Sequence, residues 1–324
     1  MPIRRSLSGG AIVPIVILTI VTLIWSSNNI ISKFALREMS PAMLNLVRFT
    51  VAAVIFHLPV FLIFLRSGEP LKREEWLRLA VIGIVGQCGS SMTYTIGLTY
   101  TSATHAALML MTGPLWTGLL AFSFQGERLG RVQAVGMLIA FGAAVALSTG
   151  GGLTEVDANV LIGSAFFVTC QVLWAVYNVV GKRLLTRRHP MLVLAAGNLC
   201  AMVGLFPTTA ALGADAELPG LVDVSASVWL WIIYLAVMTG AISQSLYLYG
   251  LRAVSASQAA SFSYLMPLFT AVMAYFALAE VPTTQVLMFG PLIILGLYLV
   301  NRPPAGRAMP RPPLQTVRSS EASS

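Results

Sequence analysis

The chain has 324 residues, of which 57% are hydrophobic and 10% charged, with a mean hydropathy of +0.81 and a formal net charge of +8. A soluble domain carries roughly a quarter charged residues; a water-soluble fold of this length would have too few to cover its surface, so lipid is the expected solvent. The basic residues sit in short clusters between apolar runs, which excludes a nucleic-acid groove and matches the loops of a membrane protein.

A helix needs about twenty apolar residues to cross the hydrocarbon core. The sequence predicts ten such spans, at 11–31, 42–65, 77–98, 103–124, 132–148, 160–184, 191–212, 228–249, 256–279 and 284–300. Breaks between them carry turn chemistry, as at Ser40-Pro41, Gly150-Gly151-Gly152, His189-Pro190 and Pro219-Gly220. The first run follows Arg4 and Arg5 and lacks an A-x-A cleavage site, so it reads as an uncleaved signal anchor. Residues 71–79 (LKREEWLRL) are amphipathic and are expected to lie at the interface before the third span. The tail from Arg302 is rich in Pro, Arg and Ser and reads as a disordered cytoplasmic end.

Lys and Arg set the expected orientation. With the N-terminus inside, the inner segments hold Arg4 and Arg5, the cluster from Arg66 to Arg78, Arg128 and Arg131, Lys182 to Arg188, Arg252 and the tail, while the outer segments hold only Lys33 and Arg37. Both termini are therefore expected in the cytoplasm. Cys88, Cys170 and Cys200 all fall in apolar runs with no CxxC or Cys/His spacing, which points away from disulfides and metal ligation and toward packing residues.

The chain also resembles itself. Residues 94–127 align without a gap on 247–280, a shift of 153 positions that carries Tyr94 to Tyr247, Gly97 to Gly250, Pro114 to Pro267, Thr117 to Thr270 and Glu127 to Glu280. Upstream, a shift of 149 carries Trp25, Asn29, Lys33 and Pro41 to Trp174, Asn178, Lys182 and Pro190. Each copy spans five expected helices, 11–149 and 150–301, after a short N-terminus at 1–10. An odd number of crossings turns the second copy upside down, so the expected fold is all-α: ten transmembrane helices as two inverted five-helix repeats around a central cavity. Such repeats let two half-molecules exchange inward- and outward-open states around one midplane site. Duplication for packing alone is the competing reading.

Polar side chains at membrane depth face the protein interior or a wet cavity. Trp25, Asn29 and Lys33 recur every four residues and share a helix face; Trp174, Asn178 and Lys182 repeat them. Gln87 and Tyr94 in the third span are matched by Gln244 and Tyr247 in the eighth, and Tyr264 adds a further aromatic. These stripes are expected to line the cavity, against the alternative of interhelical hydrogen bonds that only hold the bundle. Pro114 and Pro267 are expected to bend their spans, as rocking elements or static kinks. Glu127 and Glu280 end their spans as gate residues or, more plainly, as interfacial caps. Lys33 and Lys182 lie near helix ends, where they can snorkel. Arg48 lies within the second span with no acidic residue at matching depth; it either holds a substrate carboxylate or sits nearer the interface. His57 and His105 are lone histidines, expected to be hydrogen-bonded helix residues. The absence of a midplane carboxylate favours facilitated movement or exchange at least as much as tight ion coupling.

On these residues the chain resembles the EamA family of the drug/metabolite transporter superfamily. The likeness runs from about Pro14 to Val300 and is carried by Trp25 to Asn29 with Lys33, Ser40-Pro41, Arg48-Phe49, and the stretch from Tyr100 through Pro114-Leu115 to Gly126-Glu127. Its partner runs through Met266-Pro267 to Ala279-Glu280. Ser26 departs from the Trp-Gly pair usual there. The resemblance implies the ten-helix inverted repeat, cytoplasmic termini, a central cavity and export of amino acids or related metabolites. A carrier of amphiphilic drugs or nucleotide sugars is the near alternative, and a non-transport membrane protein the distant one. An enzyme is not expected, since HExxH, GxSxG and phosphate-loop patterns are absent from the sequence. The expected partners are a small-molecule solute and the bilayer, with no cofactor, no metal and no nucleic acid. The chain is expected to be a monomer or homodimer, in a bacterial inner membrane.

Overall fold

A computed structural model of the chain describes residues 12–67, 71–125, 130–148, 157–185, 187–247 and 265–300. In chain order the helices are α1 (Ile12–Ala35), α2 (Pro41–Arg66), α3 (Arg73–Tyr100), α4 (Ala103–Leu110), α5 (Gly113–Gln125), α6 (Arg131–Ser148), α7 (Ala158–Leu185), α8 (Pro190–Ala211), α9 (Ala226–Tyr247), α10 (Met266–Leu278) and α11 (Thr284–Val300). A short 3₁₀ helix, Ala214–Val222, follows α8. Among the described residues six helices are long and apolar enough to cross a membrane, and α6, α10 and α11 are shorter apolar helices. Large apolar side chains stand exposed along them, including Leu138 on α6, Phe276 on α10 and Leu287 on α11. In water that surface would be a continuous apolar patch; it fits lipid, and the chain is an integral membrane protein.

Local chemistry sets the helix ends. Ser40 caps α2 by accepting from the Met43 N–H at 3.2 Å, with Pro41 in the first turn where its missing N–H costs nothing. His189 and Pro190 start α8 in the same way, the ring Nδ1 accepting from the Met191 N–H at 3.3 Å. The segment expected at the interface, 71–79, instead supplies the first turns of α3. Its Glu75 takes two hydrogen bonds of 2.8 Å from Arg188, which anchors the start of α3 beside the start of α8. The fourth expected span is broken: α4 ends at Leu110 and α5 begins at Gly113, with Pro114 in its first turn. Pro267 likewise stands in the first turn of α10. Both prolines are expected to bend their spans; each stands in the first turn of a described helix, the position where a residue without an N–H is tolerated best. Residue 126–129 positions, including Glu127, and Tyr264 lie outside the described residues.

α3 packs on α7 and α8, α9 on α1 and α2, α5 on α7, α10 on α1 and α4, α2 on α8, and α6 on α11. One core joins Met43, Leu44, Phe49, Met92, Leu205 and Ile232 from α2, α3, α8 and α9. Another joins Tyr94, Leu98, Met109, Phe167 and Ile293 from α3, α4, α7 and α11. The α3–α8 contact is backbone on backbone: a Cβ at Gly83 would stand 2.3 Å from the Gly197 carbonyl oxygen and 2.6 Å from Cys200 Cβ. Both α3 and α9 widen into π-helical turns, over Val81–Gly89 and Leu235–Ile242.

Candidate solute site

Polar and aromatic side chains from α1, α3, α9 and α10 meet inside the bundle. The Asn28 amide donates to the Tyr94 hydroxyl at 2.8 Å, and that hydroxyl donates to Asn29 Oδ1 at 2.8 Å. Asn29 Nδ2 then donates to Thr270 Oγ1 at 3.2 Å. Asn29, Tyr94 and Thr270 are all buried. One turn earlier, Trp25 donates its indole N–H to Ser243 Oγ at 2.9 Å and packs on the Tyr247 ring with centroids 5.1 Å apart. Ser27 and Tyr234 share a hydroxyl hydrogen bond of 2.8 Å. The four-residue recurrence on α1 thus holds a real face: Trp25 and Asn29 point into the same interior.

The repeat-related residues of α7 differ. Trp174 stacks on its own helix neighbour Tyr177 at 4.6 Å and 7°. Asn178 and the side-chain amides of Gln87 and Gln244 are partly buried, and among the described residues no polar partner joins them to the Asn29 network. Gln171, one turn before Trp174, donates to the Leu110 carbonyl. That carbonyl is the one Pro114, four residues on, has no N–H to satisfy. Gly113 makes the approach possible, since a Cβ there would stand 3.1 Å from Gln171 Nε2.

At the end of the bundle that carries the α1–α2 turn, Glu280 closes a junction of three helices. Its carboxylate accepts from the Ala103 N–H at 2.9 and 3.2 Å and the Thr104 N–H at 3.4 Å, and pairs with Lys33 Nζ at 3.5 Å. The cap reading of Glu280 therefore describes its contacts, but the helix it caps is α4. At the same end Glu38 accepts from the backbone N–H and hydroxyl of Ser225, which hold its carboxyl below the usual carboxylate range. Glu217 accepts from the Ser40 N–H. A cavity of about 420 Å³ opens there, lined by Arg37, Glu38, Ser40, Met43, Glu217 and Leu221 among others.

Arg48 is buried at 9% exposure, its guanidinium 5.3 Å from the Phe49 ring centroid. His57 and His105 do as expected, bonding Asn198 at 3.1 Å and Ser164 at 2.9 Å. Among the described residues no group of three His, Cys, Asp or Glu is placed to hold a metal. Sequence reasoning missed Asn28, Thr270 and Tyr177. Thr270 was signalled, as the repeat partner of Thr117; Tyr177 was not, because an aromatic residue at helix depth is most often packing.

A profile of the EamA-like transporter family matches the chain twice, over residues 13–149 and 161–302. A transporter of uncharacterized function from Archaeoglobus fulgidus is 26% identical over 285 residues, 88% of this chain and 96% of the relative. A protein of Streptantibioticus cattleyicolor named a probable terminal-alkyne amino-acid exporter is 26% identical over 90% of this chain and 93% of its own length. The uncharacterized inner membrane transporter YedA of Escherichia coli is 27% identical over 76% of each chain. A crystal structure superposes with a TM-score of 0.58 at 22% identity, covering 88% of this chain and 94% of that one, which supports the fold alone. With the profile covering most of its length in two adjoining halves, the chain belongs to the EamA-like transporter family.

Proposed function

We propose that the protein is a secondary carrier that exports amino acids or related small metabolites by alternating access between two inverted five-helix repeats, 11–149 and 150–301. The observation that carries this reading is the exchange of helix partners between the halves. α7 packs on α3 and α5, and α1 packs on their counterparts α9 and α10; α3 packs on α8, and α9 on α2; α2–α8 and α6–α11 pair counterpart with counterpart. The π-helical turns of α3 and α9 fall at corresponding positions, and the family profile matches once in each half. Two halves joined in this way form one interface that can rock, with a solute site between them. The cavity is assigned to Trp25, Asn29, Arg48, Gln87, Tyr94, Trp174, Asn178, Gln244, Tyr247 and Tyr264. The network on the α1 side is closed while Trp174 and Asn178 remain unjoined to it, as expected of pseudo-equivalent halves caught in unlike states. Glu280 and Glu127 are assigned to gating, with Pro114 and Pro267 at the helix starts that move. The α1–α2 turn is assigned to the outer face, both termini to the cytoplasm, and the membrane to a bacterial inner membrane.

The test is counterflow in proteoliposomes with labelled amino acids, with and without a proton gradient. Accumulation of any member above empty vesicles is expected. No accumulation by folded, inserted protein, across a panel widened to drugs and nucleotide sugars, overturns the carrier reading. The name of the Streptantibioticus relative supports amino acids as the first class to try.

A further inference from the structure

Arg48 lies seven residues past Pro41, about 10 Å along α2 from its end. Among the described residues its guanidinium has no hydrogen-bond or ion-pair partner; Nε is buried without one, and the Phe49 ring is its neighbour. The carboxylates whose side chains are described are all engaged or exposed. Glu280 holds Ala103 and Lys33, Glu75 holds Arg188, Glu38 holds Ser225 and Glu217 holds Ser40, while Glu74, Asp157 and Asp223 are exposed. A guanidinium stays charged at any physiological pH. A buried ion with unmet donors is costly, and among the described residues no carboxylate offsets that cost. Arg48 lies within electrostatic reach of the Tyr94 hydroxyl in the buried network. Ser32, fully buried on α1 and adjoining Tyr94, also has a hydroxyl without a hydrogen bond of good geometry. Arg48 on α2 and Ser32 on α1 thus both interact with Tyr94 on α3.

We infer that Arg48, with Ser32 beside Tyr94, is the subsite for a carboxylate on the transported solute. This rests on the carrier reading and adds that a negative charge is required. A carboxylate presents two oxygens that match the guanidinium fork, and it turns an uncompensated cation into a neutral pair as the site closes. The same residue without a ligand is a liability to the fold, the opposite of a structural ion pair.

The experiment compares isosteric acid and amide pairs in counterflow: leucine and leucinamide, phenylalanine and phenylalaninamide, lactate and lactamide, succinate and succinamide. Thermal unfolding of ligand-free wild type, R48M and R48Q in detergent runs beside it. Wild type is expected to carry acids roughly 30-fold or more faster than their amides, the cost of leaving a buried charge unpaired. R48M and R48Q are expected to lose carboxylate flux while their unfolding midpoints stay level or rise, because a buried unpaired charge has been removed. Equal flux of acids and amides through wild type overturns the subsite and leaves the carrier. So does a fall in the midpoint of folded R48M and R48Q, which would make Arg48 a structural residue. Absence of flux for every pair, and for the wider panel above, overturns the carrier reading and this one with it.

Discussion

Removing the Glu280 carboxylate isolates what one side chain does for three helices. The first four N–H groups of a helix lack partners within it. In α4 three of these are met from outside the helix ladder: Ala103 and Thr104 by Glu280, and His105 by Ser102 Oγ at 3.0 Å. Glu280→Ala strands the first two. Losing a cap costs about 1 kcal/mol, losing the negative charge at a helix N-terminus about 0.5 kcal/mol more. The Lys33 pair, 25% and 18% exposed at 3.5 Å, adds at most about 1 kcal/mol. The sum is about 2 kcal/mol. Glu280→Gln keeps an acceptor for the Ala103 N–H and should lose about half of this; Lys33→Ala should lose less than about 1 kcal/mol. Equilibrium unfolding in mixed micelles should rank the variants in that order. A Lys33→Ala cost equal to that of Glu280→Ala would show that the ion pair, and not the helix cap, is the working contact; no cost for Glu280→Ala would refute the reasoning entirely.

Gly83→Ala places a methyl 2.3 Å from the Gly197 carbonyl oxygen, which is backbone and cannot rotate away; α3 and α8 must separate, at about 1–3 kcal/mol, readable as a lowered unfolding midpoint that Gly181→Ala, with its nearest neighbour at 3.8 Å, does not share. Gln171→Leu leaves the Leu110 carbonyl without its donor and should cost about 1–3 kcal/mol, while Pro114→Ala, which restores an N–H, should recover part of that loss in the double variant. Glu38 is held below the usual carboxylate range by Ser225. Its contribution is therefore fully present above that range and is lost as pH falls through the lowered value; Glu38→Gln should lower the neutral plateau toward the acid-side value and so flatten the acid limb of the stability profile.

Much of the architecture was legible because its causes are local or periodic. Apolar runs of bilayer length located the six long helices among the described residues, Ser40-Pro41 and His189-Pro190 located two starts, and self-alignment located two stretches that the family profile also matches separately. Trp25 and Asn29 could be placed on one face from their spacing alone. The break at 111–112 was not legible, because a proline in an apolar run reads equally as a bend or as a first turn; Gln171, 57 positions beyond Pro114 in the chain, takes the carbonyl that the break leaves open. The start of α3 reads as a separate segment because its charge pattern is amphipathic by itself; its continuity with the span, and the Arg188 bond that ties it to the start of α8, are visible only in the structure.

The sequence by itself determined which residues are apolar enough to leave water, where helices begin, and that one pattern occurs twice. It could not determine which helix meets which. The stripes on α1 and α7 are alike in sequence, yet Trp25 finds Ser243 while Trp174 finds Tyr177. Helix periodicity fixes the direction a side chain points from its own axis but carries no information about what stands opposite. Only the packed bundle decided that Asn29 reaches Thr270, that Glu280 caps α4, and that Arg48 is left with an unmet charge in the interior.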